Sequence, residues 1–178
     1  MNADGSSQRT LSTVGGTPSY DPTGTMVAFD NNGIWKINAD GTGLTRVTSN
    51  GIQPSWSPDG TQISYNALLQ LYVVNADGTN PHQVLSSGQI IDPVWLPSSK
   101  VVLGISVSRF NAGVYSFDPT IPSSLTRLTS DGGNEPSWSP DATHISWSGT
   151  GGIWIMNADG TGQQGPVIAN GRQGSWGK

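Results

Sequence analysis

The side chains that could support catalysis or bind a metal are too dispersed to form a reactive centre. His82 and His144 have no second histidine at ligand spacing, and the chain contains no cysteine. Serine is abundant, but no Gly-x-Ser-x-Gly sequence marks a nucleophile. No Gly-rich stretch is followed by the Lys-Ser or Lys-Thr of a phosphate loop. The recurring Asn-Ala-Asp-Gly sequence offers one or two oxygen ligands, which is fewer than calcium needs. We therefore expect no catalytic residue, no metal site and no cofactor.

A second set of polar residues could bind a ligand, because its members differ in type at one recurring position just before an inner strand. Residues that vary where the fold does not demand them are candidates for recognition. Two carboxylates among them, Asp92 and Glu135, suit a cationic or hydrogen-bonding group. The position is held in turn by Thr17, Gln53, Asp92, Glu135 and Gln173. We predict that Gln53, Asp92, Glu135 and Gln173 belong to one binding surface.

The longest insertion in the chain adds an arginine and an aromatic residue to the same predicted face. Residues 106–112 contain Arg109 and Phe110, a pairing that is common at the centres of protein interfaces. We include both as predicted binding residues. The alternative, that these loops are merely solvated, is left open.

A repeat of about forty residues must position these side chains. One marker is Asn-Ala-Asp-Gly at residues 2–5, 38–41, 75–78 and 157–160, with Phe117-Asp118-Pro119 in the remaining place. The other marker is Pro-Ser-Trp-Ser-Pro-Asp-Gly or a variant of it, at residues 18–22, 54–60, 93–97, 136–141 and 174–176. We interpret the chain as one domain, residues 1–178. Its repeat units are about 1–36, 37–73, 74–116, 117–155 and 156–178.

Short apolar segments between the markers have the length and composition of β-strands. Ile63-Ser64-Tyr65 and Leu71-Tyr72-Val73-Val74 are rich in β-branched and aromatic residues. Both markers end in the Asp-Gly chemistry of tight turns, which we expect to be held by Asx hydrogen bonds. Each unit therefore predicts four antiparallel strands, and radial repetition of such units predicts an all-β propeller. The repeated tryptophans are expected in the blade core, and Trp147 could be either core or a sugar-stacking surface.

The combination of these elements closely resembles a known repeat family. PSWSPDG, an Ile-x-Tyr strand, a strand ending in NADG and an outer strand such as LTRVTS are similar to the WD40-like PD40 repeat of TolB-like β-propellers. The resemblance covers essentially the whole chain. It implies a propeller that commonly binds other proteins, has no catalytic residues of its own, and lies in the periplasm or outside the cell.

The two ends of the chain do not match a simple closed ring. We expect four complete blades from Pro18 to Ile168, with one extra outer strand near residues 8–12 and one extra inner strand near Ser175-Trp176. Residues 1–5 are identical to residues 156–160, and the resemblance implies propellers with more than four blades. The chain is therefore either a section of a longer propeller or one of several copies that complete one another through their terminal strands.

Composition excludes several classes of partner. The net charge is −4, and the eight Lys and Arg residues are spread singly, so no basic stripe predicts nucleic-acid binding. No apolar run approaches the roughly 18 residues of a membrane-spanning helix, and the start of the chain does not resemble a signal peptide. We expect a non-catalytic scaffold that binds a protein partner through one loop face. The alternatives are a structural protein that self-assembles and a carbohydrate-binding lectin.

Overall fold

The computed structural model describes residues 10–84, 90–96, 102–106, 112–129, 132–172 and 176. In this part of the chain, sixteen strands form four antiparallel sheets of four strands, each in chain order. Each sheet is one blade, and its first strand is the inner strand. The predicted all-β fold of four-stranded blades is confirmed.

The blades follow one another along the sequence. Blade 1 consists of β1 (Gly16–Tyr20), β2 (Met26–Asp30), β3 (Ile34–Asn38) and β4 (Thr45–Arg46). Blade 2 consists of β5 (Ile52–Trp56), β6 (Gln62–Ala67), β7 (Gln70–Asn75) and β8 (His82–Gln83). Blade 3 consists of β9 (Ile90–Trp95), β10 (Val102–Ser106), β11 (Gly113–Asp118) and β12 (Ile121–Arg127). Blade 4 consists of β13 (Asn134–Trp138), β14 (His144–Gly149), β15 (Gly152–Asn157) and β16 (Gln164–Ala169).

An Asp-x-Thr turn recurs where strands are joined at one end of the blades. In the turn after β3, Asp40 Oδ1 accepts hydrogen bonds from Thr42 N at 2.9 Å and Thr42 Oγ1 at 2.6 Å. The same pair of contacts joins Asp59 to Thr61, Asp77 to Thr79, Asp118 to Thr120, Asp141 to Thr143 and Asp159 to Thr161. These are the Asx-type turns that the repeat predicted.

Consecutive blades pack face to face through apolar side chains. We call the side of a blade that meets the next blade its forward face, and the opposite side its back face. Between blades 1 and 2, Ile34 and Val47 on the forward face pack in one cluster with Trp56 and Tyr65 on the back face. Corresponding clusters lie between blades 2 and 3 and between blades 3 and 4. Tryptophan supplies much of this buried area, as predicted, because Trp56, Trp95, Trp138 and Trp147 are all buried.

A tryptophan hydrogen bond joins blade 3 to blade 2. Trp95 Nε1 donates to Ser55 O at 3.0 Å and to Ser64 Oγ at 2.8 Å. Trp56 and Trp138 occupy the same repeat position, but their indole nitrogens are buried without a hydrogen-bond partner among the described residues. The register explains the difference, because the position of Ser64 is held by Ala28 in blade 1 and by Leu103 in blade 3.

The inner strands surround a common axis. β1 contacts β5, β5 contacts β9 and β9 contacts β13, whereas no comparable contact between described residues joins β13 back to β1. Of the residues expected in extra strands, 8–12 and 175–176, residues 8, 9 and 175 lie outside the described residues. Thr10, Leu11 and Ser12 are described and belong to no strand. The described residues contain no helix, and so none that is long and apolar enough to cross a membrane.

Candidate binding rim

The entrances to the four inner strands surround an open cavity of about 220 Å³ at the propeller axis. Each blade contributes the two residues at an Xaa-Pro or Pro-Xaa step of its inner strand. The lining residues are Thr17, Pro18, Gln53, Pro54, Pro93, Val94, Glu135 and Pro136. We call this set the axial rim.

The backbone of the axial rim is strained at the residue before proline. Thr17, Gln53 and Glu135 have φ values of 40°, 54° and 53°, whereas a residue before proline normally prefers an extended conformation. The left-handed region is especially unfavourable for a β-branched residue such as Thr17. Each of these residues lies at a break in strand register, which is a β-bulge. Strain of this kind costs about 1–3 kcal/mol per residue and is concentrated at functional sites.

A polar residue at the end of the second strand holds each strained side chain. Asn66 Nδ2 donates to Gln53 Oε1 at 2.7 Å, and Ser148 Oγ donates to Glu135 Oε2 at 2.9 Å. Thr17 Oγ1 donates to the carboxylate of Asp30 in the same way. Asp30, Asn66 and Ser148 share one register position, because each is paired with the residue that precedes the rim residue. The bulge and this hydrogen bond together orient the rim side chains.

The axial rim has acidic character. Glu135 lies in the lining, and the Asp30 carboxylate contacts the lining residue Thr17. The described residues that line the cavity include no lysine or arginine. A positively charged group can therefore enter without meeting a like charge from these residues, and it would gain from the nearby carboxylates.

Glycines near the axial rim make room for aromatic side chains. A Cβ atom on Gly15, Gly51 or Gly133 would lie 2.5 Å from Phe29, 2.4 Å from Tyr65 or 2.8 Å from Trp147. Blade 3 has the opposite arrangement of large and small residues. Its register places Ile90 at the position of the glycine and Gly104 at the position of the aromatic residue. In blades 1, 2 and 4 the entrance to the inner strand is thus packed by one aromatic side chain from the second strand.

The structure brings together part of the predicted binding set. Gln53 and Glu135 meet at the cavity with Thr17. Asp92 lies in β9 beside the lining residue Pro93, and its side chain is outside what the structure describes. Gln173, Arg109 and Phe110 also lie outside the described residues. The sequence analysis missed the three residues that hold the rim side chains, although a polar residue at the end of the second strand in three units is a visible signal.

The other side chains that could bind a metal or stack on a sugar lie apart from the axial rim. His82 lies in β8 and His144 lies in β14. Within the described ranges, no group of His, Asp and Glu residues could hold a metal ion. Trp147 is 1% exposed and stacks on Trp154 with ring centroids 6.0 Å apart. Trp147 is therefore a core residue, and the lectin alternative loses the side chain on which it depended.

Asp-x-Thr turns lower the pKa values of surface carboxylates at the opposite end of the blades. Hydrogen bonds from Ser139 and Thr143 lower the pKa of Asp141 to about 2. Hydrogen bonds from Thr79 and Thr161 also lower the pKa values of Asp77 and Asp159 below the ordinary value. These groups remain charged at neutral pH and stabilise turns, which is a structural role.

Solved structures share this arrangement of blades. A putative TolB from Agrobacterium tumefaciens superposes with a TM-score of 0.73 and 20% identity, over 86% of this chain and 61% of the other. The fold is that of a TolB-like β-propeller. TolB from Acinetobacter baumannii matches with a TM-score of 0.68 and 22% identity, over 82% of this chain and 41% of the other. The chain therefore spans about three fifths or less of these two TolB structures. No protein-family model matches the chain.

The same fold serves both binding proteins and enzymes. A structure of the nidogen–laminin complex matches with a TM-score of 0.68 and 17% identity, over 82% of this chain and 62% of the other. An oligogalacturonate lyase in complex with manganese matches with a TM-score of 0.64 and 14% identity, over 84% of this chain and 52% of the other. The TolB-like propeller fold is thus compatible with protein binding and also with catalysis.

Proposed function

We propose that this protein is a non-catalytic scaffold that binds a segment of a partner protein at the axial rim. The observation that carries this proposal is the repeated strain at Thr17, Gln53 and Glu135, each held by a hydrogen bond beside the axial cavity. Glycine would form the same bulge without strain, whereas three residues of different type carry the strain here. They are expected where side chains are held ready for recognition.

The favoured ligand is a lysine or arginine side chain carried by a partner loop or extended segment. The cavity of about 220 Å³ is smaller than the ~300–1,000 Å³ of typical small-molecule pockets. It suits one inserted side chain, with the rest of the partner resting on the surrounding loops. Glu135, Asp30 and, in our proposal, Asp92 supply the negative charge. Arg109 and Phe110 remain proposed contacts on the same face.

Binding to peptides with one central arginine tests the proposal. An array of short synthetic peptides with varied flanks is compared with matched peptides in which neutral citrulline replaces the arginine. We expect a subset of arginine peptides to bind and their citrulline counterparts to bind more weakly. The variant Glu135→Gln should weaken that binding roughly five- to thirtyfold, since a partly exposed charge pair contributes about 1–2 kcal/mol.

Asp40→Asn is the matched control for that variant. It removes the same single charge from a turn of blade 1 at the opposite end of the propeller from the rim, and asparagine can still accept the hydrogen bonds from Thr42. Binding should be unchanged in this control, and both variants should remain fully folded at the assay temperature. Equal weakening by both substitutions would mean that net charge, and not the axial rim, attracts the peptides.

We further propose that the protein acts without a catalytic centre of its own and works in the periplasm or outside the cell. The support for both proposals is the TolB-like fold and the PD40-type repeat. Lyase or hydrolase activity of the purified chain that Glu135→Gln abolishes would contradict the first proposal. Retention of a tagged full-length protein in the cytosolic fraction of its native cells would contradict the second.

A further inference from the structure

Each of the two outermost blade faces has one apolar or aromatic residue that is much more exposed than its repeat equivalents inside the molecule. In blades 1 to 3, the forward face carries an apolar residue opposite the first apolar residue of the third strand, and the next blade covers it. This residue is Val47, Val84 or Leu128, which are 8%, 5% and 8% exposed. Ile168 holds this position in blade 4 and is 59% exposed. The forward face of blade 4 thus carries an exposed apolar residue at a position that the next blade covers elsewhere, although its register partner Ile153 is 5% exposed.

The back face of blade 1 shows the complementary gap. Trp56, Trp95 and Trp138 are 7%, 5% and 7% exposed because the preceding blade covers them, whereas Tyr20 at the same register position is 61% exposed. An apolar cavity of about 210 Å³ lies between the segment around Leu11 and the back-face residues Val27, Phe29 and Ile37. The segment around Leu11 buries Val27, Phe29 and Ile37, but it leaves this cavity beside them and leaves Tyr20 exposed.

A buried hydroxyl on blade 4 also lacks the contact that its equivalent makes. Ser64 Oγ accepts a hydrogen bond from Trp95, but Ser146 Oγ is buried without a partner among the described residues. Trp176 lies over this region and donates to Ser137 O at 3.2 Å, which corresponds to only one of the two contacts of Trp95. Trp176 is half-buried, so it fills the position only in part.

We propose that the forward face of blade 4 binds the back face of blade 1 in a second copy of the chain, head to tail. The occupant is argued from continuity with the contacts inside the molecule, where forward and back faces of the same repeat meet three times in succession. In the docked pair, Tyr20 of the second copy takes the place above Ser137 and Ser146 that Trp176 now holds. The segment around Leu11 shifts to admit Ile168. Such a heterologous contact yields a closed ring of copies or an open chain of them.

Light scattering on the intact chain over a roughly hundredfold concentration range tests the proposal. The parent protein should show a mass above that of the monomer. Ile168→Asp and Tyr20→Asp each place a charge in the contact, so each alone should raise the dissociation constant at least tenfold. Both residues are exposed, so both variants are expected to fold. The matched control is Leu68→Asp, at an 88% exposed leucine in the β6–β7 turn, and it should leave the mass unchanged.

Mixing the two variants distinguishes head-to-tail docking from other modes. Ile168→Asp keeps an intact back face and Tyr20→Asp keeps an intact forward face, so an equal mixture should form a one-to-one dimer although neither variant associates alone. Trp176→Ala should strengthen association, because it clears the position that Tyr20 enters. A monomeric parent protein, a mixture that stays monomeric, or loss of association in Trp176→Ala or Leu68→Asp would overturn the proposal.

Discussion

Replacing Trp95 and Trp138 by phenylalanine separates the tryptophan hydrogen bond from tryptophan packing. Both side chains are buried at the same repeat position, but only Trp95 Nε1 donates to the preceding blade, at 3.0 Å and 2.8 Å. Each substitution loses part of a buried ring, at a cost of about 1–2 kcal/mol. Trp95→Phe also removes the donor to Ser64 Oγ and Ser55 O, which keep only the 3.3 Å hydrogen bond between them, at a further cost of about 1–3 kcal/mol. We therefore expect Trp95→Phe to be more destabilising than Trp138→Phe by about 1–3 kcal/mol.

Equilibrium unfolding in urea, followed by circular dichroism, measures this difference in the free energy of unfolding. The variant Ser64→Ala, alone and combined with Trp95→Phe, completes a double-mutant cycle that isolates the coupling between the two side chains. In the reverse direction, Ala28→Ser offers a hydroxyl to the unpartnered Trp56 Nε1 and should stabilise the protein by up to about 1 kcal/mol. A Trp138→Phe variant that is destabilised as much as Trp95→Phe, with no coupling in the cycle, would refute the reasoning.

Two further predictions concern turns. Because hydrogen bonds hold the pKa of Asp141 at about 2 in the folded state, below its ordinary value of 3.8, they contribute stability above about pH 4 that is lost as the pH falls towards 2. Asp141→Asn should therefore flatten the acid limb of a urea-midpoint profile, and an unchanged slope would contradict this. Leu68 and Leu69 have φ values of 53° and 64° in an exposed hairpin turn, so the double variant Leu68→Asn, Leu69→Gly should raise the free energy of unfolding by about 1–3 kcal/mol. A lower urea midpoint in that variant would show that the leucines make contacts that outweigh the strain.

Much of the fold could be predicted from the repeat, because its markers are local turn signals. The Asp-x-Thr turns depend on residues that are two apart in the sequence. The short apolar segments between these turns are enough to place the strands. The position of Gln53 and Glu135 on one face followed from the same argument, since equivalent positions in a radial repeat must converge on the axis.

The details of the rim depend on pairing across strands, which spacing alone does not reveal. A residue before proline is expected to be extended, yet the bulge holds Gln53 and Glu135 in the left-handed region. Their partners, Asn66 and Ser148, become visible only once the register is known.

The contacts between blades could not be predicted from the sequence either. Trp56 and Trp95 occupy the same position and look equivalent in the sequence, but their hydrogen bonding depends on whether the preceding blade supplies Ala28 or Ser64. In the same way, the similar apolar character of Ile168 and Val47 gives no indication that one is exposed and the other buried. These differences arise from the neighbouring blade and not from the repeat itself.

The most direct test of the rim as the binding site is to map peptide-induced shifts of backbone amide signals by NMR. The probe is an arginine peptide selected from the array, with its citrulline counterpart as the reference. Our account predicts that the largest shifts fall at Thr17, Gln53, Asp92 and Glu135 and at the hydrogen-bonding partners Asn66 and Ser148, and that they are lost in Glu135→Gln. Shifts concentrated on the Asp-x-Thr turns at the other end of the blades, or on the outermost blade faces, would contradict it.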